Sequence, residues 1–387
     1  MATFLFVLDE IEENKGVIMK VGIITRHAVA NYGSILQAYA TQKAVEKLGY
    51  ESEIINYIRT DEQGFNISDT MLRRNQKWNK NFLTRVIYKV LQTPVYAGTY
   101  YKFRKFSKEF LMESNRVYAS TQDLLEYPTA DIYCTGSDQV WGKIGNVEYD
   151  ENYFLQFAPS DKKCIAYAAS FGKEKLSSEL QSALPSLLEK YSCIGVREVS
   201  AVNLVQNAGY DAVQVLDPTL LLSALEWKQV TSDYIREKGY VLIYQLHNDK
   251  RLEKYAAQFA KKTNRKLIRI SISMLYIFKS GKLAYMPTPS EFLKYFQNCD
   301  YVVTDSFHAT VFSILFNKNF VDILPKGTGT RIVSLLQLFG LEDRIVSDYN
   351  DFAIADSDIC YEKVNAILEE ERTKSLRIFS TMLSSEV

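Results

Sequence analysis

Val21-Gly-Ile-Ile-Thr25 is a short apolar run, and the stretch after it decides the fold. From Ser34 to Leu48, Ile35, Tyr39, Gln42, Val45 and Leu48 recur near helical spacing, and Gly49 stops the pattern. Ser52 to Tyr57 then reads as a second strand. Strand, helix and strand in this order make a βαβ unit, whose strands lie parallel in one sheet. Further strands are predicted at Ile132 to Thr135, Ile165 to Ala169, Ile194 to Val196 and Val213 to Leu216, with helical stretches such as Leu180 to Tyr191 and Ser200 to Ala208 between them.

A second series begins after Asp217-Pro218. It has a strand at Tyr240 to Gln245, a helix from about Arg251 to Thr263, a strand at Lys266 to Ile270, a helix at Ser290 to Gln297 and a strand at Tyr301 to Thr304. The expected class is therefore α/β, with two Rossmann-like domains built on parallel sheets. The expected division is an N-terminal extension over 1–18, a first domain over 19–221 with a basic and aromatic helical insertion at 72–112, a second domain over 222–357, and a C-terminal helix over 358–387.

Composition agrees with a globular protein and excludes some functions. At 387 residues the chain exceeds what one core usually organises. Lys plus Arg equals Asp plus Glu at 46 each, so no global field marks a nucleic-acid partner. The five cysteines, Cys134, Cys164, Cys193, Cys299 and Cys360, are scattered and form no CxxC or Cys/His cluster, which reads as buried thiols in a reducing compartment. Phe4 to Leu8 is apolar but is followed at once by Asp9, Glu10, Glu12 and Glu13 and lacks a basic flank, so it is not a signal peptide. A cytoplasmic location is expected, with any membrane contact peripheral and at the inner face.

Each of the three histidines follows the C-terminal end of a predicted strand, where open α/β sheets bind ligands: His27, His247 and His308. His308 has the strongest context, because Thr304-Asp-Ser-Phe-His308 turns directly into an apolar helix whose N-terminus can hold an anion, with Ser306 in the turn. The first strand-to-helix turn is similar: Asn31, Gly33 and Ser34 offer a close backbone approach and a cap. Arg197 follows Ile194-Gly-Val196 and suits carboxylate or phosphate recognition. Ser137, Asp138 and Gln139 make a polar loop after another strand, and Lys326 and Arg331 are further anion ligands after Val321 to Leu324.

The same residues carry a family resemblance. Asn31-Tyr-Gly-Ser-Ile-Leu-Gln-Ala-Tyr-Ala40, Gly136-Ser-Asp-Gln-Val-Trp141, Tyr167-Ala-Ala-Ser-Phe-Gly172, Val196-Arg-Glu198, Leu216-Asp-Pro-Thr-Leu220 and Thr304-Asp-Ser-Phe-His308 resemble, in order, the signature blocks of polysaccharide pyruvyl transferases. The resemblance covers roughly residues 19 to 345. It implies a glycosyltransferase-B-like fold whose C-terminal helix crosses back to the first domain. It also implies transfer of pyruvate from phosphoenolpyruvate to two hydroxyls of a sugar as a cyclic ketal, in capsule or exopolysaccharide biosynthesis, with no metal and no cofactor beyond that co-substrate.

His308 matches the family's essential histidine and Arg197 an arginine that holds the donor. The sequence departs from the pattern at Ser306, where many members carry Arg, and at Ala309, where Gly is common. Phosphate binding therefore passes to Lys326 and Arg331, with Ser306, Asn31, Gly33 and Ser34 beside them. Ser137, Asp138, Gln139, His27 and His247 are left for the acceptor side of the cleft.

From Leu72 to Lys108 there are ten Lys/Arg and no Asp or Glu, interleaved with aromatics. That pairing suits anionic headgroups or the diphosphate of an undecaprenyl-linked oligosaccharide acceptor. Two other functions are open to the same residues: a sugar-nucleotide glycosyltransferase, and a glycan-binding protein without catalysis.

Overall fold

A computed structural model of the protein describes residues 18–63, 66–75, 78–324 and 329–385. The expected extension over 1–18 thus lies outside the described residues except for Ile18. The opening unit forms as expected: β1 (Lys20–Ile24), α1 (Tyr32–Lys47) and β2 (Glu51–Ile54). With β3 (Ile132–Thr135), β4 (Lys163–Ala169), β5 (Tyr191–Val196) and β6 (Val213–Gln214) they build a parallel sheet in the order β2-β1-β3-β4-β5-β6. β3 and β4 are buried along their whole length, which is why they read as continuous apolar runs.

β2 is shorter than expected because the chain beyond Ile54 bridges instead to Tyr118 through Tyr57. The insertion contains one helix of 29 residues, α2 (Phe82–Phe110), started by a capping box at Asn81 and Thr84.

The second sheet is also parallel, in the order β11-β10-β7-β8-β9, from β7 (Tyr240–Tyr244), β8 (Lys266–Ser271), β9 (Lys282–Tyr285), β10 (Tyr301–Thr304) and β11 (Asn319–Asp322). β9 has no counterpart among the strands expected from sequence. It is an edge strand with one fully buried residue in four, so it has no apolar run to see. Helices α3 (Pro289–Asn298), α4 (Phe307–Leu315) and α5 (Thr330–Phe339) belong to this half.

An apolar seam joins the halves. Nearly all of α1 is buried. Tyr32 stacks on Phe292 of α3 with centroids 4.3 Å apart, and its hydroxyl donates to the Pro287 carbonyl at 2.7 Å. Trp227, fully buried, sits between Tyr39 of α1 and Phe312 of α4 and donates its indole N–H to the Thr219 carbonyl. Large rings on both sides make this a continuous core rather than an open hinge.

The final helix, α6 (Tyr361–Ser384), crosses back to the first sheet as the resemblance implied. Phe379 stacks on Tyr167 of β4 at 4.0 Å, Ser375 accepts from the Leu216 N–H at 3.0 Å, and Arg372 donates to the Leu220 carbonyl at 2.7 Å. All five cysteines are free; Cys134, Cys164 and Cys299 are buried as expected, whereas Cys193 is half-buried and Cys360, at the start of α6, is exposed. No helix among the described residues is long and apolar enough to cross a membrane.

Because Phe379 is fully buried on Tyr167, Phe379→Ala should cost about 3–5 kcal/mol of unfolding free energy by urea titration. A cost within experimental error would mean that α6 is not packed on the sheet in solution.

Candidate functional site

The C-terminal edges of the two sheets meet at a buried charge cluster. Arg197 leaves β5 and Asp217 lies just past β6; their side chains are 2% and 0% exposed and form an ion pair at 2.7 Å. Arg197 is also 3.2 Å from Glu198 and 4.4 Å from the centre of the Phe307 ring at the start of α4. Ser137 donates to Asp217 at 2.9 Å, and Thr219 donates from its backbone N–H at 3.0 Å. Burial alone would raise the Asp217 pKa, but Arg197 foremost, then His308 and the Thr219 side-chain hydrogen bond, outweigh it and hold the carboxyl at about 2.

His308, in the first turn of α4, reaches this cluster with Nε2 3.8 Å from the Asp217 carboxylate. Gly33 is what lets it in. A Cβ at Gly33 would stand 1.9 Å from Nδ1 of His308, so the ring occupies the space a side chain would need. Burial is the main cause that lowers the His308 pKa to about 4, with Asp217 opposing and Arg197 adding to the fall. The ring is thus neutral at physiological pH, and Nε2 has no hydrogen-bond partner among the described residues.

Arg331, from the first turn of α5, is half-buried and lines the same cavity as Arg197, Asp217, Phe307, Ser334 and Lys374. Burial first and the neighbouring Arg197 second lower its pKa. Among the described residues, neither its Nε nor the Nη2 of Arg197 has a hydrogen-bond partner. Two guanidiniums with spare donors beside a neutral imidazole have the donor chemistry that a small, multiply charged anion requires. Lys326, expected to share this task, lies outside the described residues.

Other expected site residues have structural duties. Asn31 caps α1, and its side chain accepts from the N–H groups of Gly33 and Ser34, so those two donors are already engaged. Ser34 donates to Asp138, which is buried and held at φ 88°. Burial raises the Asp138 carboxyl pKa, yet Arg26, His308 and Arg197 bring it below its ordinary value. Gln139 fills the space beside Gly172. Ser306 begins α4 without capping it, leaving the helix end uncapped at the cluster.

His27 is not in the cleft. Its ring is fully buried, with Nδ1 3.2 Å from the Thr25 carbonyl oxygen and Nε2 3.2 Å from the Asn56 side-chain oxygen and 3.5 Å from Glu113. His247 is half exposed and 3.0 Å from Asp305, at the edge of the second sheet.

Sequence reasoning assigns no role to Asp217, although it stands in one of the signature blocks. It also passes over Arg269, a fully buried guanidinium on β8 bonded to Gln245 at 3.0 Å, with an Nε that has no partner among the described residues. Its basic side chain inside a buried strand was the signal available. No group of three His, Cys, Asp or Glu that could hold a metal ion occurs among the described residues.

Comparison with known proteins places the fold and the family. A family model for polysaccharide pyruvyl transferase matches residues 31–324. The chain belongs to that family. All six signature blocks of the transferase family fall inside the matched region. Among solved structures, this pyruvyl transferase family member is similar to a candidate UDP-N-acetylglucosamine 2-epimerase of Listeria monocytogenes, with TM-score 0.50, 8% identity, and 94% and 91% of the two chains covered. The UDP-GlcNAc 2-epimerase of Methanocaldococcus jannaschii is similar at TM-score 0.50 and 11% identity, with 91% and 92% covered. These likenesses show the two-domain glycosyltransferase-B arrangement. No curated protein sequence matches the chain.

The buried ring makes a stability prediction. The folded pKa of His308, about 4, lies below the ordinary 6.5, so the unfolded chain binds the proton first as pH falls. Stability from a neutral His308 is fully present above pH 6.5 and is lost as pH drops from there through about 4. Urea midpoints measured across that window should fall more steeply for wild type than for His308→Gln. Parallel curves would contradict a neutral buried ring.

Proposed function

We propose that the protein transfers pyruvate from phosphoenolpyruvate to two hydroxyls of one sugar, forming a cyclic ketal. The observation that carries this reading is that buried Arg197 and half-buried Arg331 line one cavity, each with a donor unpartnered among the described residues, near neutral His308. Phosphoenolpyruvate has two anionic groups, and two guanidiniums match them: Arg197 for the carboxylate, Arg331 for the phosphate. Family membership supports a transferase acting in polysaccharide synthesis.

The chemistry requires a proton at the donor's methylene carbon, which leaves an oxocarbenium-like centre at C2. One sugar hydroxyl adds there and gives up its proton, the C2–O bond to phosphate breaks, and the second hydroxyl closes the ring. One hydroxyl proton ends on the new methyl group and the other on phosphate. His308, neutral with Nε2 unpartnered among the described residues, is suited to take the proton of the attacking hydroxyl. Arg197 and Arg331 hold the donor's charge as it shifts to the departing phosphate. The acceptor in this reading is a saccharide repeat on a polyprenyl diphosphate at the cytoplasmic face.

Purified protein should release phosphate from phosphoenolpyruvate only with a suitable acceptor, tested over galactosyl, glucosyl and N-acetylmannosaminyl compounds. His308→Gln should lose about 10²–10⁴-fold in kcat. Arg331→Ala should raise the KM for phosphoenolpyruvate by roughly 10–100-fold. Turnover of a UDP-sugar with silence toward phosphoenolpyruvate would move the assignment to a glycosyltransferase.

A further inference from the structure

The basic, aromatic segment divides into two parts along α2. Past Thr99 four of its side chains are committed to the protein, although Tyr101, Lys105 and Lys108 stay exposed: Phe103 and Phe106 are buried, Arg104 pairs with Glu113 at 2.8 Å, and Lys102 donates to the Met286 carbonyl at 2.6 Å. Those four face no external partner, which corrects the expectation that the whole of 72–108 forms one contact surface.

The first three turns differ. Phe82, Leu83, Val90 and Leu91 are 81%, 66%, 67% and 56% exposed, and Val86 and Ile87 are about two-fifths exposed at 40% and 39%. At 100° per residue these six positions occupy one contiguous half of the helix. The opposite side holds the helix to the protein: Tyr88 is buried, packs on Trp78 at 6.0 Å and shares a hydrogen bond with Tyr96 at 2.9 Å. A face this apolar and contiguous on a water-facing helix marks an interaction site.

Charge says what covers it. No Asp or Glu occurs from Leu72 to Lys108. Arg73, Lys80, Arg85 and Lys89 are exposed around this end of α2, and one acid, Asp69, pairs with Lys89 at 2.5 Å. Aliphatic side chains flanked mainly by cations match the boundary between headgroups and acyl chains of an anionic bilayer. A second copy of the chain fits less well, because apposing two such faces would bring their basic rims together.

We propose that the Phe82–Leu91 face of α2 docks on an anionic lipid bilayer, with the apolar half entering the interface and the basic rim meeting the headgroups. At 1.5 Å rise per residue, Leu83 lies about 30 Å along the helix from Phe103, which packs on Tyr32 at the N-terminus of α1. One continuous helix thus sets the height of the cleft above the membrane. This docking stands independently of the reaction assigned to the cleft.

The test is co-sedimentation of full-length protein with phosphatidylcholine vesicles, with and without phosphatidylglycerol, at low and high salt. Wild type should sediment with the anionic vesicles at low salt. Leu83→Glu/Val90→Glu should reduce the bound fraction at least about tenfold while leaving the thermal melt unchanged, since both positions are exposed. Arg85→Glu/Lys89→Glu should weaken binding to anionic vesicles in particular. The proposal is overturned if wild type binds neither vesicle, if the Leu83→Glu/Val90→Glu protein binds as well as wild type, or if wild type is a dimer that these changes dissociate without any lipid binding.

Discussion

The guanidinium of Arg197 is almost wholly withdrawn from water, and the site is organised around making that tolerable. Desolvating such a charge costs several kcal/mol, and removing the partner of a buried pair costs about 3–5 kcal/mol. Asp217 supplies the opposite charge, Glu198 a second, and the Phe307 ring a π face. Each compensating group comes from a different element, so the charge fixes the loops after β5 and β6 and the start of α4 relative to one another. Arg331 in the same cavity adds a like charge, and the two cations together favour a bound anion.

The seam around α1 supplies the rigidity that this arrangement needs. Tyr32 and Trp227 lock both halves to one helix, so the edges of the two sheets approach by fixed amounts. Gly33 then decides whether His308 can sit against that helix at all. The imidazole is neutral because it is buried, and it is buried because the glycine makes room. Packing and proton affinity at this site are therefore one property.

Much of this is legible in the sequence where a signal is local. β3, β4 and β7 are buried runs, and α3 carries its own cap, so they appear without tertiary knowledge. His308 and Arg197 stand at strand ends, where open sheets place ligands. What escapes depends on distant partners. His27 resembles His308 by position, yet Asn56 and Glu113 enclose it, and nothing near it in the chain announces them. The contact of Asp217 with Arg197 likewise exists only after folding. β9 is hidden because an edge strand buries too little to leave a pattern.

The central claim is that the cavity lined by Arg197, Arg331 and Phe307, the residue next to His308 in the chain, receives the donor. A crystal structure of the protein soaked with phosphoenolpyruvate tests it most directly. The account predicts the carboxylate on Nη2 of Arg197, the phosphate on Nε of Arg331, and the enol carbons beside Nε2 of His308. Phosphoenolpyruvate bound instead at the second sheet's edge, near Gln245 and Arg269, with the Arg197 cavity unchanged, would contradict it.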